Sequence, residues 1–110
     1  MSINYSRIIQ GCMTWGIWGK NFSTQEIAKS IEENVDLGVT SFDHADIYGD
    51  YTTEAEFGKA LQQSNISRDK IQLISKCGIQ LINESRKTHV KHYNYEASYI
   101  IAQAERSLKH

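Results

Sequence analysis

Apolar positions in this chain follow two rhythms, short unbroken runs and spaced stripes, and the two alternate. Residues 7–13, 39–42 and 71–75 are compact apolar runs, the form taken by a strand buried in a parallel sheet. Between the first two, Ile27, Ala28, Ile31 and Val35 recur at helical spacing, while Lys29, Glu32 and Glu33 fall on the opposite face. Ser23 and Glu26 form a capping box at the start of that stripe, and Gly38 supplies a left-handed stop at its end. Thr53 to Glu56 offers a second capping box, followed by a helix with Phe57, Ala60 and Leu61 on one face. Strand, helix, short turn and strand therefore repeat, which predicts parallel βαβ units.

After residue 80 the pattern loosens. Residues 80–95 are polar without periodicity and read as a long loop following a barrel-type strand. Asn94 or a neighbour can cap a last helix whose apolar face is Ala97, Ile100, Ile101, Ala104 and Leu108. The pattern stops at His110 in mid-helix with no C-terminal glycine, so the expectation is of an α/β domain cut short. Residues 1–110 are expected to be part of one domain.

The chemistry sits where apolar runs end. Ser41-Phe42 runs into Asp43-His44-Ala45-Asp46-Ile47-Tyr48-Gly49, and Leu73-Ile74-Ser75 runs into Lys76-Cys77-Gly78. A buried parallel strand whose carboxyl end opens into a loop reads in this way, and barrel enzymes keep their reactive groups at that face. Asp43, Tyr48 and Lys76 are then expected to meet as a proton-donor site. The plainer alternative is an Asp43–Lys76 ion pair bracing two strand ends, with Tyr48 packed at the rim. Trp15 and Trp18, interleaved with Gly16 and Gly19, suggest either a flat surface for a ligand ring or indoles capping a core end. Asp43, His44 and Asp46 do not read as metal ligands, because alternation along a strand turns His44 away from Asp43. His89 and His92 read as solvated loop residues, and no metal is expected.

Charge changes little in this picture. Twelve Lys and Arg against 13 Asp and Glu leave no electrostatic footprint for nucleic acid or an anionic membrane. No apolar run approaches the roughly 18 residues of a spanning helix, and the first residues lack the features of a signal peptide. Cys12 and Cys77 show no metal-ligand spacing and read as buried free thiols of a reducing cytoplasm, with a disulfide as the lesser alternative.

Several segments together resemble the aldo-keto reductase family: residues 11–16 (Gly-Cys-Met-Thr-Trp-Gly), residues 42–49 around Asp43 and Tyr48, residues 56–61, Ile74-Ser75-Lys76, and residues 104–108. Their order and spacing also fit, and His44-Ala45-Asp46 with Lys76-Cys77-Gly78 resembles a bacterial oxidoreductase branch. The resemblance implies the first three β/α units of a (β/α)8 TIM barrel, truncated before the fourth strand. It implies reduction of aldehydes or ketones with a nicotinamide cofactor, NADPH for the parent enzyme. Asp43, Tyr48 and Lys76 match three places of the family's catalytic tetrad. Thr14, Trp15 and Asp43 lie where the family approaches the cofactor. Cys12-Met13 departs from the glycine-rich form often found in that first loop.

The family's fourth catalytic residue is a histidine on the next strand, and His110 falls too early to be it. The resemblance places the main cofactor grip in later parts of the barrel as well. The 110 residues alone are therefore expected to be inactive and to self-associate through open sheet edges. The alternative is a non-catalytic piece with an assembly or binding role, since channel-associated subunits use the same fold.

Overall fold

The structure is a computed structural model and describes residues 2–110. Three short parallel strands form its centre: β1 (Ile9–Gly11), β2 (Ser41–Asp43) and β3 (Gln72–Ile74), in the order β1-β2-β3. The register aligns Gln10, Phe42 and Leu73 across the sheet, and Gly11, Asp43 and Ile74 one step further on. Each strand is shorter than the apolar run that predicted it. The ladder nevertheless continues past the regular strands, through Cys12 N–H to the Asp43 carbonyl at 3.0 Å and His44 N–H to the Ile74 carbonyl at 2.8 Å.

Helix α1 (Thr24–Asp36) begins at the expected capping box. The Ser23 hydroxyl accepts from Glu26 N–H at 3.1 Å, and the Glu26 carboxylate accepts from Ser23 N–H at 2.8 Å. Just past its end Gly38 takes φ +83°, a conformation that costs a glycine little and other residues more. Ile27, Ala28 and Ile31 face the sheet, as their spacing requires. Helix α3 (Thr53–Gln63) lays Phe57, Ala60 and Leu61 beside them. Phe42 of β2 is fully buried between the helices, its ring 5.3 Å from Phe57 and 6.2 Å from Trp15. Edge-to-face and tilted ring pairs of this kind add specific geometry to the area they bury. Cys12 and Ile71 complete the same core, and α1 and α3 cover only this face of the sheet.

The second capping box does not form. Thr52 is the N-cap and makes no side-chain cap bond, while Thr53 is buried inside the first turn. The chain enters α3 directly from α2 (Tyr48–Tyr51), a tight turn, and the Thr52 hydroxyl donates to the Gly49 carbonyl at 2.6 Å instead. Residues 80–95 are not a plain loop either. β4 (Ile79–Gln80) and β5 (His92–Tyr93) pair antiparallel, with a further bridge between Asn83 and Thr88. Strands of two residues are too short to leave a period in the sequence.

Helix α4 (Ala97–Lys109) starts at Glu96 without a side-chain cap, although the Asn94 side chain accepts from Glu96 N–H at 3.0 Å. Its apolar stripe does not enter the core. Ile101 and Leu108 are exposed, and the one buried residue is the polar Gln103. At the opposite end of the sheet the Ser6 hydroxyl accepts from the N–H groups of Thr40 and Ser41, and Ser6 N–H donates to the Ser41 hydroxyl. The amino-terminal segment is thereby tied across the base of β2. No helix among the described residues is long and apolar enough to cross a membrane.

Candidate active site

Two neighbouring strands end in an ion pair. Asp43 is the last residue of β2, and Lys76 lies two residues beyond β3. Parallel pairing brings these ends side by side, so residues 33 positions apart meet. Lys76 Nζ donates to both Asp43 carboxylate oxygens, at 2.9 and 3.0 Å, and to the His44 carbonyl at 2.7 Å. All three donors of the ammonium thus have acceptors. Partial burial alone would lower the Lys76 pKa. The hydrogen bond to Asp43, together with the Tyr48 phenol, outweighs burial and moves it above the ordinary lysine value, so Lys76 stays charged at neutral pH.

Tyr48 completes the cluster. Lys76 Nζ lies 5.1 Å from the centroid of its ring, within the range of a cation–π contact. Trp18 also neighbours it, its ring tilted and 6.3 Å from that of Tyr48. Tyr48 is half-buried and the Lys76 side chain is 52% exposed, so the cluster is open to solvent at the carboxyl end of the sheet. A carboxylate, an ammonium and a phenol so placed can hold and deliver a proton to a group that docks there.

Of the two first-loop tryptophans, Trp15 is buried with Phe22, Phe42 and Phe57 around it, and Trp18 is exposed. Trp15 thus fills the core-cap place, and the indole offered to the surface is Trp18. Thr14 is exposed on the same loop, and Asp43 is half-buried.

His44 points away from Asp43, as strand alternation requires. It is 4% exposed and stands edge-on to Phe57 at 4.4 Å, with neither ring nitrogen bonded to a protein group. Burial lowers its pKa to about 4, so the ring is neutral. Asp46 is also buried, and burial pushes its carboxyl up to about 6. Burial, reinforced by the Asp43 charge, pushes the Cys12 thiol up to about 12, which makes it inert as a nucleophile. Cys77 is free as well and half-buried. His89 and His92 are both exposed. Among the described residues no three His, Cys, Asp or Glu side chains are placed to hold a metal. A cleft of about 420 Å³ lies between α3, β3 and the end of α4, beside His44, and neither Asp43, Tyr48 nor Lys76 lines it.

The turn that carries Tyr48 is conformationally expensive. Gly49, Asp50 and Tyr51 take φ values of 63°, 54° and 69° in succession. A left-handed non-glycine residue costs on the order of 1–3 kcal/mol. At Gly49 a Cβ would also collide with the hydroxyls of Thr53 and Thr52. Nothing in the sequence marks Asp50 and Tyr51 as left-handed, nor the side chains that hold them there. Tyr51 Oη accepts from Leu81 N–H, Asn83 donates to Asp50, and the Arg86 guanidinium lies over the Tyr51 ring. These partners are some thirty residues away and come together only when the β4–β5 hairpin folds back.

Comparison with known proteins bears on this arrangement. The aldo/keto reductase family model matches residues 7–110. An uncharacterized oxidoreductase of Bacillus subtilis, YcsN, is 45% identical over 107 residues, covering 96% of this chain and 35% of its own length. The oxidoreductase YdhF of Escherichia coli is 40% identical over 104 residues, covering 94% of this chain and 34% of its own length. A 6-dehydroglucose reductase of Agrobacterium fabrum is 37% identical over 109 residues, covering 97% of this chain and 36% of its own length. The chain spans about a third of the length of these curated relatives.

Proposed function

The chain belongs to the aldo/keto reductase family, and from that premise we propose that it carries the proton-donor part of an NADPH-dependent carbonyl reductase. One observation supports this most directly. Lys76, held by both oxygens of Asp43, presents its ammonium to the ring of Tyr48 at 5.1 Å. An ammonium beside a phenol stabilises the negative charge that develops on its oxygen as a proton leaves in the transition state. In this reading Tyr48 gives its proton to the oxygen of an aldehyde or ketone, Lys76 lowers the cost of the charge left behind, and Asp43 orients Lys76.

The site fits a nicotinamide cofactor on its open side, where Lys76 and Thr14 are exposed and Asp43 is within reach. Thr14 and Asp43 would contact the nicotinamide end, and Trp15 would set the shape of that loop from the core. NADPH, when bound, supplies the hydride that the carbonyl carbon receives. The substrate is a small-molecule carbonyl compound. Nucleic acid and membrane are not partners, and the protein works in the cytoplasm.

On this reading residues 1–110 form part of a barrel domain, three β/α units of it, and by themselves turn over no carbonyl substrate. A graft tests both halves. Residues 7–110 replace the matching part of the Agrobacterium reductase, and NADPH oxidation is followed with 6-dehydroglucose. The graft is expected to reduce it, and Tyr48→Phe to lower the rate by about 10²–10⁴, the usual contribution of a positioned proton donor. A Tyr48→Phe graft as fast as its parent would refute the assignment, and so would turnover by the 110 residues alone refute their inactivity.

A second reading has its own support. Ile8 and Ile9 at one edge of the sheet and Leu73 at the other are exposed, as an assembly piece would present them.

A further inference from the structure

Three left-handed residues in a row do not persist unless the surroundings hold them. In α2 these are Gly49, Asp50 and Tyr51, and the turn that contains them begins with Tyr48. The restraint comes from residues 81–86 and from α4. Leu81 N–H donates to Tyr51 Oη at 2.9 Å, and Asn83 Nδ2 donates to Asp50 Oδ1 at 3.3 Å. The Arg86 guanidinium lies flat enough on Tyr51 to bring its central carbon 3.7 Å from the ring centroid.

Arg86 is itself fixed from two sides. Its Nη1 donates to Gln103 Oε1 at 2.9 Å, and its backbone N–H donates to the Asn83 side chain at 3.1 Å. Gln103 is the one buried residue of α4, a helix whose apolar residues remain exposed. A polar side chain buried in preference to neighbouring isoleucines needs a bonded partner, and Arg86 is that partner. A lysine would not serve equally, because only a planar guanidinium stacks on a ring while its fork reaches an amide oxygen.

The turn transmits this restraint. Tyr51 N–H donates to the Ile47 carbonyl and Thr52 N–H donates to the Tyr48 carbonyl, both at 3.2 Å, so residues 47–52 form one hydrogen-bonded turn that carries both Tyr48 and Tyr51. We propose that Arg86, held by Gln103, is a positioning residue that keeps Tyr48 against Lys76 by clamping Tyr51. The proposal rests on reading Tyr48 as the proton donor, and it adds a side chain from the hairpin to that site's requirements.

The test is spectroscopic and needs no turnover. The chain is labelled with ring-¹³C tyrosine and the Tyr48 signal is assigned with Tyr48→Phe. Lys76→Met then defines where that signal lies once the ammonium is gone. Arg86→Gln is expected to shift the Tyr48 signal most of the way toward the Lys76→Met position, while the signal of exposed Tyr5 stays in place. A folded Arg86→Gln protein with Tyr48 at its native position overturns the proposal. If Arg86→Gln does not fold, Gln103→Met decides instead, since it removes the acceptor that holds the Arg86 guanidinium over Tyr51 and carries the same expectation. An inactive graft would remove the reductase reading and leave this geometry standing. An unmoved Tyr48 would do the reverse.

Discussion

His44 and Asp46 sit two residues apart, both buried, and their protonation works in opposite directions. The folded state lowers His44 from 6.5 to about 4, so between those values the unfolded chain binds more protons and acidification weakens the fold. The folded state raises Asp46 from 3.8 to about 6, so across nearly the same range acidification strengthens it. Each effect is of order 3 kcal/mol at most, and together they largely cancel. Asp46→Asn removes one of them. The variant is expected to lose thermal stability from pH 6.5 down to 4 more steeply than the native chain, as followed by melting temperature against pH. Parallel profiles for the two proteins would contradict this. Lys76 differs in kind, because its shift comes from a partner that also defines the candidate site.

At the scale of elements, α2 decides where the site forms. The capping box of α1 was legible because both of its halves lie within four residues. α3 lacks that device, since the chain reaches it from a left-handed turn and Thr53 is needed inside the packing. Gly49 belongs to that turn twice over, through its positive φ and through the hydroxyls that crowd it. Gly49→Ala is expected to destabilise the chain by about 1–3 kcal/mol or more, measured by urea unfolding. It should also disturb Tyr48, which begins the same turn. A loss no larger than that at an exposed helix position would mean that the turn relaxes without strain.

The whole molecule has one face of the sheet covered by helices and several uncovered surfaces. α1 and α3 bury one side of the sheet, whereas parallel sheets are ordinarily covered on both. Ile8, Ile9 and Leu73 are exposed at the two edges, and Ile101 and Leu108 along α4. Surfaces of this kind attract further strands or apolar faces. The 110 residues are therefore expected to associate, with a mass in sedimentation equilibrium that rises with concentration above the 12.6 kDa of one chain. A constant mass of one chain across the range would show that these surfaces are tolerated in water.

Local chemistry and periodicity were enough for the three strand positions, the stripes of α1 and α3, the Ser23–Glu26 cap and the Gly38 stop. Each depends on residues within a turn or two of one another. The meeting of Asp43 with Lys76 was also legible, because parallel strands joined by helices align their carboxyl ends. The sequence alone left Trp15 open between ligand and core, and it suggested an inward apolar face for α4. Tertiary structure put Trp15 among Phe22, Phe42 and Phe57, and turned Gln103 rather than the isoleucines toward the protein. It also folded residues 80–93 into a hairpin and placed Arg86 over Tyr51. These outcomes depend on which distant surfaces compete for burial and on which polar groups find partners, and no short-range pattern records that competition.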